Sequence, residues 1–321
     1  MDKRLITLKL VMAAVVAFVM MSPAVAQEQE VSDDNYVPVI AYFGKNDTTY
    51  FCETHSRFKI INSDTIFDYN YEFTYSLAVI DSTANSYTIK YLPGDISCLD
   101  GRNINPQFLP AFASVMPTEL TFITDECGAV KHIVEWEKLS KAIGEGLSAA
   151  LGNLSPEVAE NIKNNKIFDV SSEEVLLQRF TPANLLFCAH GVGYQLGMTE
   201  TNDSTATGKS NTKVFAEYLN EEEAEFEGDY RIITSTRSEL PTEAVIETVS
   251  SLLTDMASTS RKKEEINDAI KQIDKVEVTV SHLLQYFVNG WPMIIQKVTD
   301  VETMGTIRKD ITTIECTGYH W

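Results

Sequence analysis

Two alternating runs of apolar and polar residues meet at Asn289-Gly290 within residues 276–298, VEVTVSHLLQYFVNGWPMIIQKV. Asn-Gly accepts φ > 0 at both central positions of a type I′ turn, so the stretch predicts a β-hairpin with a two-residue turn. The same period of two runs through Tyr71, Phe73, Tyr75, Leu77 and Val79, with Glu72, Thr74 and Ser76 between them. A turn composition at residues 81–86 and renewed alternation at Tyr87, Ile89 and Tyr91 predict a second hairpin. A third is expected where residues 120–123 lead through Asp125-Glu126-Cys127-Gly128 to Val130, His132, Val134 and Trp136. Single strands are expected at Tyr230, Ile232 and Thr234 and at residues 308–316, and the prolines and glycines of residues 92–117 predict an irregular surface segment.

The period turns helical after residue 138, where Leu139, Ile143, Leu147 and Leu151 fall on one stripe. Ser155-Pro156 predicts a further helix start, and Ser171-Ser172-Glu173-Glu174 reads as a capping box whose helix buries Val175, Leu176 and Phe180 before Thr181-Pro182 ends it. Leu240-Pro241-Thr242 opens the longest helical pattern, with Val245, Val249, Leu252 and Met256 and then Ile266, Ile270 and Ile273 as its apolar stripe. The fold class expected is therefore α+β, a curved antiparallel β-sheet packed against long α-helices, with an element order that admits two similar halves. Residues 39–200 form the first α+β region and 214–321 the second. The Gly-, Ser-, Thr- and Asn-rich residues 201–213 lie between them as a linker-like loop.

The first 26 residues read as a signal peptide: Lys3 and Arg4 precede an apolar run at residues 10–21, and Ser22-Pro23-Ala24-Val25-Ala26 offers small residues for cleavage. Residues 27–38, acidic and without period, read as a disordered leader. The product expected is exported, to the periplasm or beyond the cell, with no stable membrane insertion after cleavage. A net charge of −20 over 321 residues disfavours nucleic acid and anionic lipid surfaces. Five cysteines, Cys52, Cys98, Cys127, Cys188 and Cys316, would enter an oxidising space, where bridges are expected, one of them at Cys52. Their odd number leaves one thiol over and their connectivity open.

No catalytic set assembles along the chain. Gly208-Lys209-Ser210 lacks the first glycine of a phosphate loop, Asp203 standing in its place. Cys52 with His55 and Cys188 with His190 would make a zinc site only if the two segments met, and Cys188 next to the apolar Leu185-Leu186-Phe187 reads as an inert buried thiol. His132 and His282 occupy strand positions suited to a half-buried, hydrogen-bonded imidazole. Glu221, Glu222, Glu223 and Glu225 lack calcium-loop spacing and read as a solvated face. Nothing calls for a metal or a cofactor.

The remaining signal is aromatic. Tyr71, Phe73, Tyr75, Tyr87, Tyr91, Phe122, Trp136, Tyr286, Phe287 and Trp291 line the predicted strands. A curved sheet carrying such rings can close over an apolar cavity, with Tyr75, Tyr87, Tyr91, Trp136, Tyr286 and Trp291 as candidate ligand-binding residues. The plainer alternative makes the same rings the core between sheet and helix. The signal-like start, the Tyr-rich first strand, LxFxTDxxGxV at residues 120–130 and NGWP at residues 289–292 resemble a pattern of uncharacterised exported proteins of Gram-negative bacteria, grouped as domains of unknown function. The repeated hairpins are also similar to the half-barrel of periplasmic lipoprotein carriers, a resemblance that covers the hairpins and implies no site residue. The function expected is non-enzymatic binding of an apolar or amphipathic molecule or of an envelope protein. A hydrolase with a site assembled from distant residues and a structural or adhesive surface component are the alternatives.

Overall fold

Hydrogen-bonded strands dominate the computed structural model, which describes residues 35–61, 64–99, 119–152, 171–205, 208–240, 276–303 and 306–321. In chain order the strands are β1 (Tyr36–Pro38), β2 (Thr48–Ile61), β3 (Asp64–Thr83), β4 (Ser86–Cys98), β5 (Leu120–Thr124), β6 (Val130–Ile133) and β7 (Gly193–Gln195). They continue with β8 (Gly197–Thr205), β9 (Gly208–Tyr218), β10 (Tyr230–Leu240), β11 (Val276–Tyr286), β12 (Pro292–Thr303) and β13 (Thr306–His320). Eleven of them form one sheet in the order β6-β5-β4-β3-β2-β13-β12-β11-β10-β9-β8, and β1 pairs separately with β7. Neighbours in the large sheet are mostly successive hairpin arms. The exception is β13 with β2, antiparallel from His320 opposite Thr48 to Thr306 opposite Ile61, which ties the end of the chain to its beginning.

This corrects the α+β expectation. The described helices are α1 (Trp136–Leu151), α2 (Glu173–Arg179) and a single π-helical turn at Pro182–Leu186. The capping box is present, Ser172 Oγ accepting from the Val175 amide at 3.3 Å. The expected helices after Ser155 and Leu240 lie outside the described residues, as do residues 1–34 with the signal peptide and most of the leader. The rest of the leader is ordered: Tyr36 to Pro38 are the strand paired to Gln195, Tyr194 and Gly193. Residues 201–205 and 208–213 belong to the paired strands β8 and β9 and extend the large sheet. Their polar composition hides a strand at the sheet edge, where the Asn211 amide bonds Glu200 and Asn202 at 2.6 and 2.8 Å. Residues 92–98, expected to be irregular, continue β4, with register shifts in its pairing to β3.

The Asn289-Gly290 hairpin exists with a different turn. The Gly290 amide donates to the Phe287 carbonyl (2.8 Å), the Phe287 amide donates to Trp291 (2.9 Å), and Gly290 has φ 85° while Asn289 keeps a negative φ. That is a type I turn followed by a left-handed glycine bulge, not type I′. The Asp125–Ala129 turn repeats the pattern, with Gly128 at φ 99°, Gly128 N–H to Asp125 at 3.1 Å and Asp125 N–H to Ala129 at 2.9 Å. The longer turn frees carbonyls that a tight turn would not present. Asn289 accepts from the Tyr42 amide and Cys127 from the Ala41 amide, both at 2.9 Å. Residues 36–43 therefore form a strap that stitches one turn to the other.

These contacts require the sheet to bend. Phe122 on β5 meets Phe187 at 5.9 Å between ring centroids, Phe187 meets His190 at 5.1 Å and His190 meets Tyr286 on β11 at 5.5 Å. Six strand spacings separate β5 from β11, about 29 Å if laid flat, whereas this chain of rings holds them within about 17 Å. The sheet wraps around residues 180–191, which plug one end. Leu186, Phe187, Trp291, Tyr286 and Phe122 there are 0 or 1% exposed.

Candidate functional site

Period-two alternation sends the inward side chains of the wrapped sheet into rows that can be followed from strand to strand. The row next to the plug is Phe73, Glu53, Ile314, Ile295, Leu284, Ile232 and Ala216, all buried. The next row along is Tyr71, His55, Thr312, Lys297, His282, Thr234 and Val214. All of its members are half-buried. Beyond them Asp310 and Thr299, and then Arg308, Val301 and Val278, are buried again. A partly solvated polar belt thus lies on the inner face of the sheet, with a buried row on one side and the Arg57–Asp310 ion pair on the other.

Hydrogen bonds tie most of the belt. His55 shares Nε2 with Glu53 Oε1 at 2.6 Å and Nδ1 with Thr312 Oγ1 at 3.1 Å. Its ring stacks on Tyr71 and Phe73 at 4.9 and 5.7 Å. Thr181, at the edge of the plug, donates its hydroxyl to the same Glu53 oxygen at 3.3 Å. Glu53 itself is fully buried and its Oε2 has no hydrogen-bond partner among the described residues. Across the belt, His282 Nδ1 and Thr234 Oγ1 are 3.2 Å apart. Burial, with the nearby Lys297 charge adding to it, depresses the His282 imidazole to about 4, so the ring is neutral near pH 7.

Lys297 stands between Thr312 and His282 as the cross-strand partner of both. It has no ion pair or hydrogen bond among the described residues, and burial lowers its pKa. Cys188 of the plug lies close enough for the two charges to act on one another. The thiol is deep enough for burial to push it up to about 11, yet the residue is exposed. Cys188 of the plug and the half-buried belt thus lie close to one another on the inner side of the sheet. Such a thiol is protonated at neutral pH and a poor nucleophile.

Thr312, His55 and Glu53 form a hydroxyl, imidazole and carboxylate chain, the arrangement closest to a hydrolytic set among the described residues. Acyl transfer also needs amide donors aimed at the oxyanion. Around Thr312 the backbone amides belong to the ladders with β2 and β12. The chain therefore reads as a buried hydrogen-bond network.

The candidates chosen from sequence are committed to packing. Tyr286 donates its hydroxyl to the Leu186 carbonyl at 3.2 Å and Tyr87 to Ala41 at 2.9 Å. Trp291 stacks on Phe43 at 4.2 Å, Tyr91 meets Phe180 edge-on at 5.7 Å, and Tyr75 stacks on Phe51 at 5.5 Å. Trp136 opens α1 and packs against the core. His190, its neighbour Cys188 and the pair Cys52 and His55 do not converge. Cys52 and His55 point to opposite faces of β2, and His190 turns into the plug, its Nε2 3.0 Å from the Gly290 carbonyl. Cys52, Cys127, Cys188 and Cys316 carry free thiols, against the bridge expected at Cys52. Cys52 is on the outer face beside Glu72 and Glu315, whereas Cys316 is the cross-strand partner of the inward Phe51. The side chain of Cys98 lies outside the described residues. His282 occupies the half-buried, hydrogen-bonded strand position expected of it.

No family model and no curated protein sequence matches the chain. Among solved structures it is similar to one describing lipid–protein interactions in lipovitellin, at 8% identity and a TM-score of 0.39, over 87% of this chain and 26% of that one. The chain thus spans about a quarter of that protein's length. No described helix is long and apolar enough to cross a membrane.

Proposed function

We propose that this protein is an exported, non-enzymatic binding protein that holds an amphipathic small molecule inside its wrapped sheet. The observation that carries the reading is the half-buried polar belt at Lys297 on the inner face, beside a buried row that holds Ile314, Ile295, Leu284 and Ile232. A ligand with one polar end and an apolar body matches both surfaces, and burying its body supplies about 25 cal/mol per Å² of apolar area. Export rests on Lys3 and Arg4, the apolar run at residues 10–21 and the small residues before Gln27. The test is solvent extraction of the protein purified from its native compartment, followed by mass spectrometry. An amphipathic molecule recovered in stoichiometric amount supports the reading; a protein that carries none and takes up none when offered a mixed lipid extract refutes it.

A further inference from the structure

We infer that Lys297 is the anchor for the ligand's polar end and that this end is a single carboxylate. The inference rests on the binding role proposed above and narrows it to a chemical class. An ammonium group on the inner face of a sheet, with no counter-ion among the described residues, is a costly feature to keep. Replacing such a charge by an apolar side chain is commonly neutral or stabilising, so its presence points to an anion that completes it. The neighbours are suited to that anion. Thr312 and Thr234 bring hydroxyls into the belt, the first directly across from Lys297 and the second across from His282.

The charges in and beside the belt favour a monoanion. His282 is neutral near pH 7, His55 is occupied with Glu53 and Thr312, and Arg57 is paired with Asp310 one row further along. Arg308 also bonds Asp310, at 3.1 Å. Lys297 is therefore the one lysine or arginine in the belt row itself. A phosphate dianion would bring an excess charge next to the buried Glu53, in a protein already at −20. Burial lowers the Lys297 pKa, and a bound carboxylate restores the charged form.

Calorimetric titration of the full mature chain with octanoate, 1-octanol and acetate tests this, using wild type, Lys297→Met and Lys297→Arg. Wild type is expected to bind octanoate at least tenfold more tightly than 1-octanol, and acetate more weakly than either. Lys297→Met should weaken octanoate at least tenfold and change 1-octanol less than twofold, while Lys297→Arg retains octanoate. Unfolding curves check that Lys297→Met folds, and loss of its unpaired charge should leave it at least as stable as wild type. Equal binding of octanoate and 1-octanol by wild type, or an unchanged octanoate affinity in Lys297→Met, overturns the anchor and leaves the binding role standing. Wild type that binds neither octyl compound overturns both. Acetate bound as tightly as octanoate shows an anion site without an apolar body and likewise overturns the inference.

Discussion

Gly290 and His190 show how much of this fold hangs on single atoms. A Cβ at Gly290 would lie 2.3 Å from the Ile40 carbonyl oxygen, whereas one at Gly197, also at positive φ, meets nothing within 4 Å. Gly290→Ala is expected to lower unfolding stability in urea by at least about 2 kcal/mol, and Gly197→Ala by about 1 kcal/mol from backbone strain alone. Equal losses at the two sites would contradict the strap's close approach. His190 is buried, donates from Nε2 to Gly290 and leaves Nδ1 without a described partner. Burial depresses it to about 4, from an unfolded value of 6.5. Between those values the unfolded chain binds more protons than the folded one, so stability is full above pH 6.5 and falls as the pH drops towards 4, by at most about 1.4 kcal/mol per pH unit for each such histidine. His282 contributes in the same direction. Urea unfolding from pH 7 to 4 should show this slope in wild type and a shallower one in His190→Gln; parallel slopes would remove His190 from the account.

Two members of the belt, His282 and Lys297, are legible at this scale. In β11 the inward phase reads Val276, Val278, Val280, His282, Leu284 and Tyr286, and in β12 it reads Ile295, Lys297, Thr299 and Val301. A charged or titratable residue on the apolar phase of an alternating strand is a stronger pointer to an interior site than another aromatic ring, because burying it costs free energy. Size and aromaticity drew attention to Tyr286 and Trp291, whose bulk serves the plug.

At the scale of elements, alternation located the hairpins, since a strand with one buried face writes its period into the sequence. Turn type was not recoverable from Asn-Gly alone. The glycine bulge is selected by partners remote in sequence, Tyr42 and His190, that use the carbonyls of Asn289 and Gly290. Polar strands such as β8 and β9 carry no period, so composition alone made residues 201–213 a linker. The strap gives the clearest mechanical prediction. Phe43 stacks on Trp291 at 4.2 Å and packs against Tyr87 at 5.1 Å and Phe187 at 6.0 Å. Phe43→Ala should cost about 3–5 kcal/mol in thermal unfolding, as truncation of a buried ring does elsewhere. A loss under about 1 kcal/mol would mean that the strap does not hold the turns together.

On the scale of the whole molecule, the wrap of the sheet comes from pairing β13 with β2 and from the plug, contacts between residues 100 or more positions apart that no local pattern encodes. That distance in sequence is also why the belt could not be assembled beforehand: Lys297, Thr312 and His282 are near one another along the chain, but His55 and Thr234 join them only through the register of the sheet. The binding role proposed above requires the inner face of this sheet to receive an amphipathic carboxylate. A crystal structure of the protein with 8-bromooctanoate, with the bromine located by its anomalous scattering, tests it most directly. Bromine is expected inside the sheet, with the carboxylate within hydrogen-bond distance of Lys297 Nζ. Bromine on the outer face of the sheet, or an interior filled at the belt by protein side chains, would contradict it.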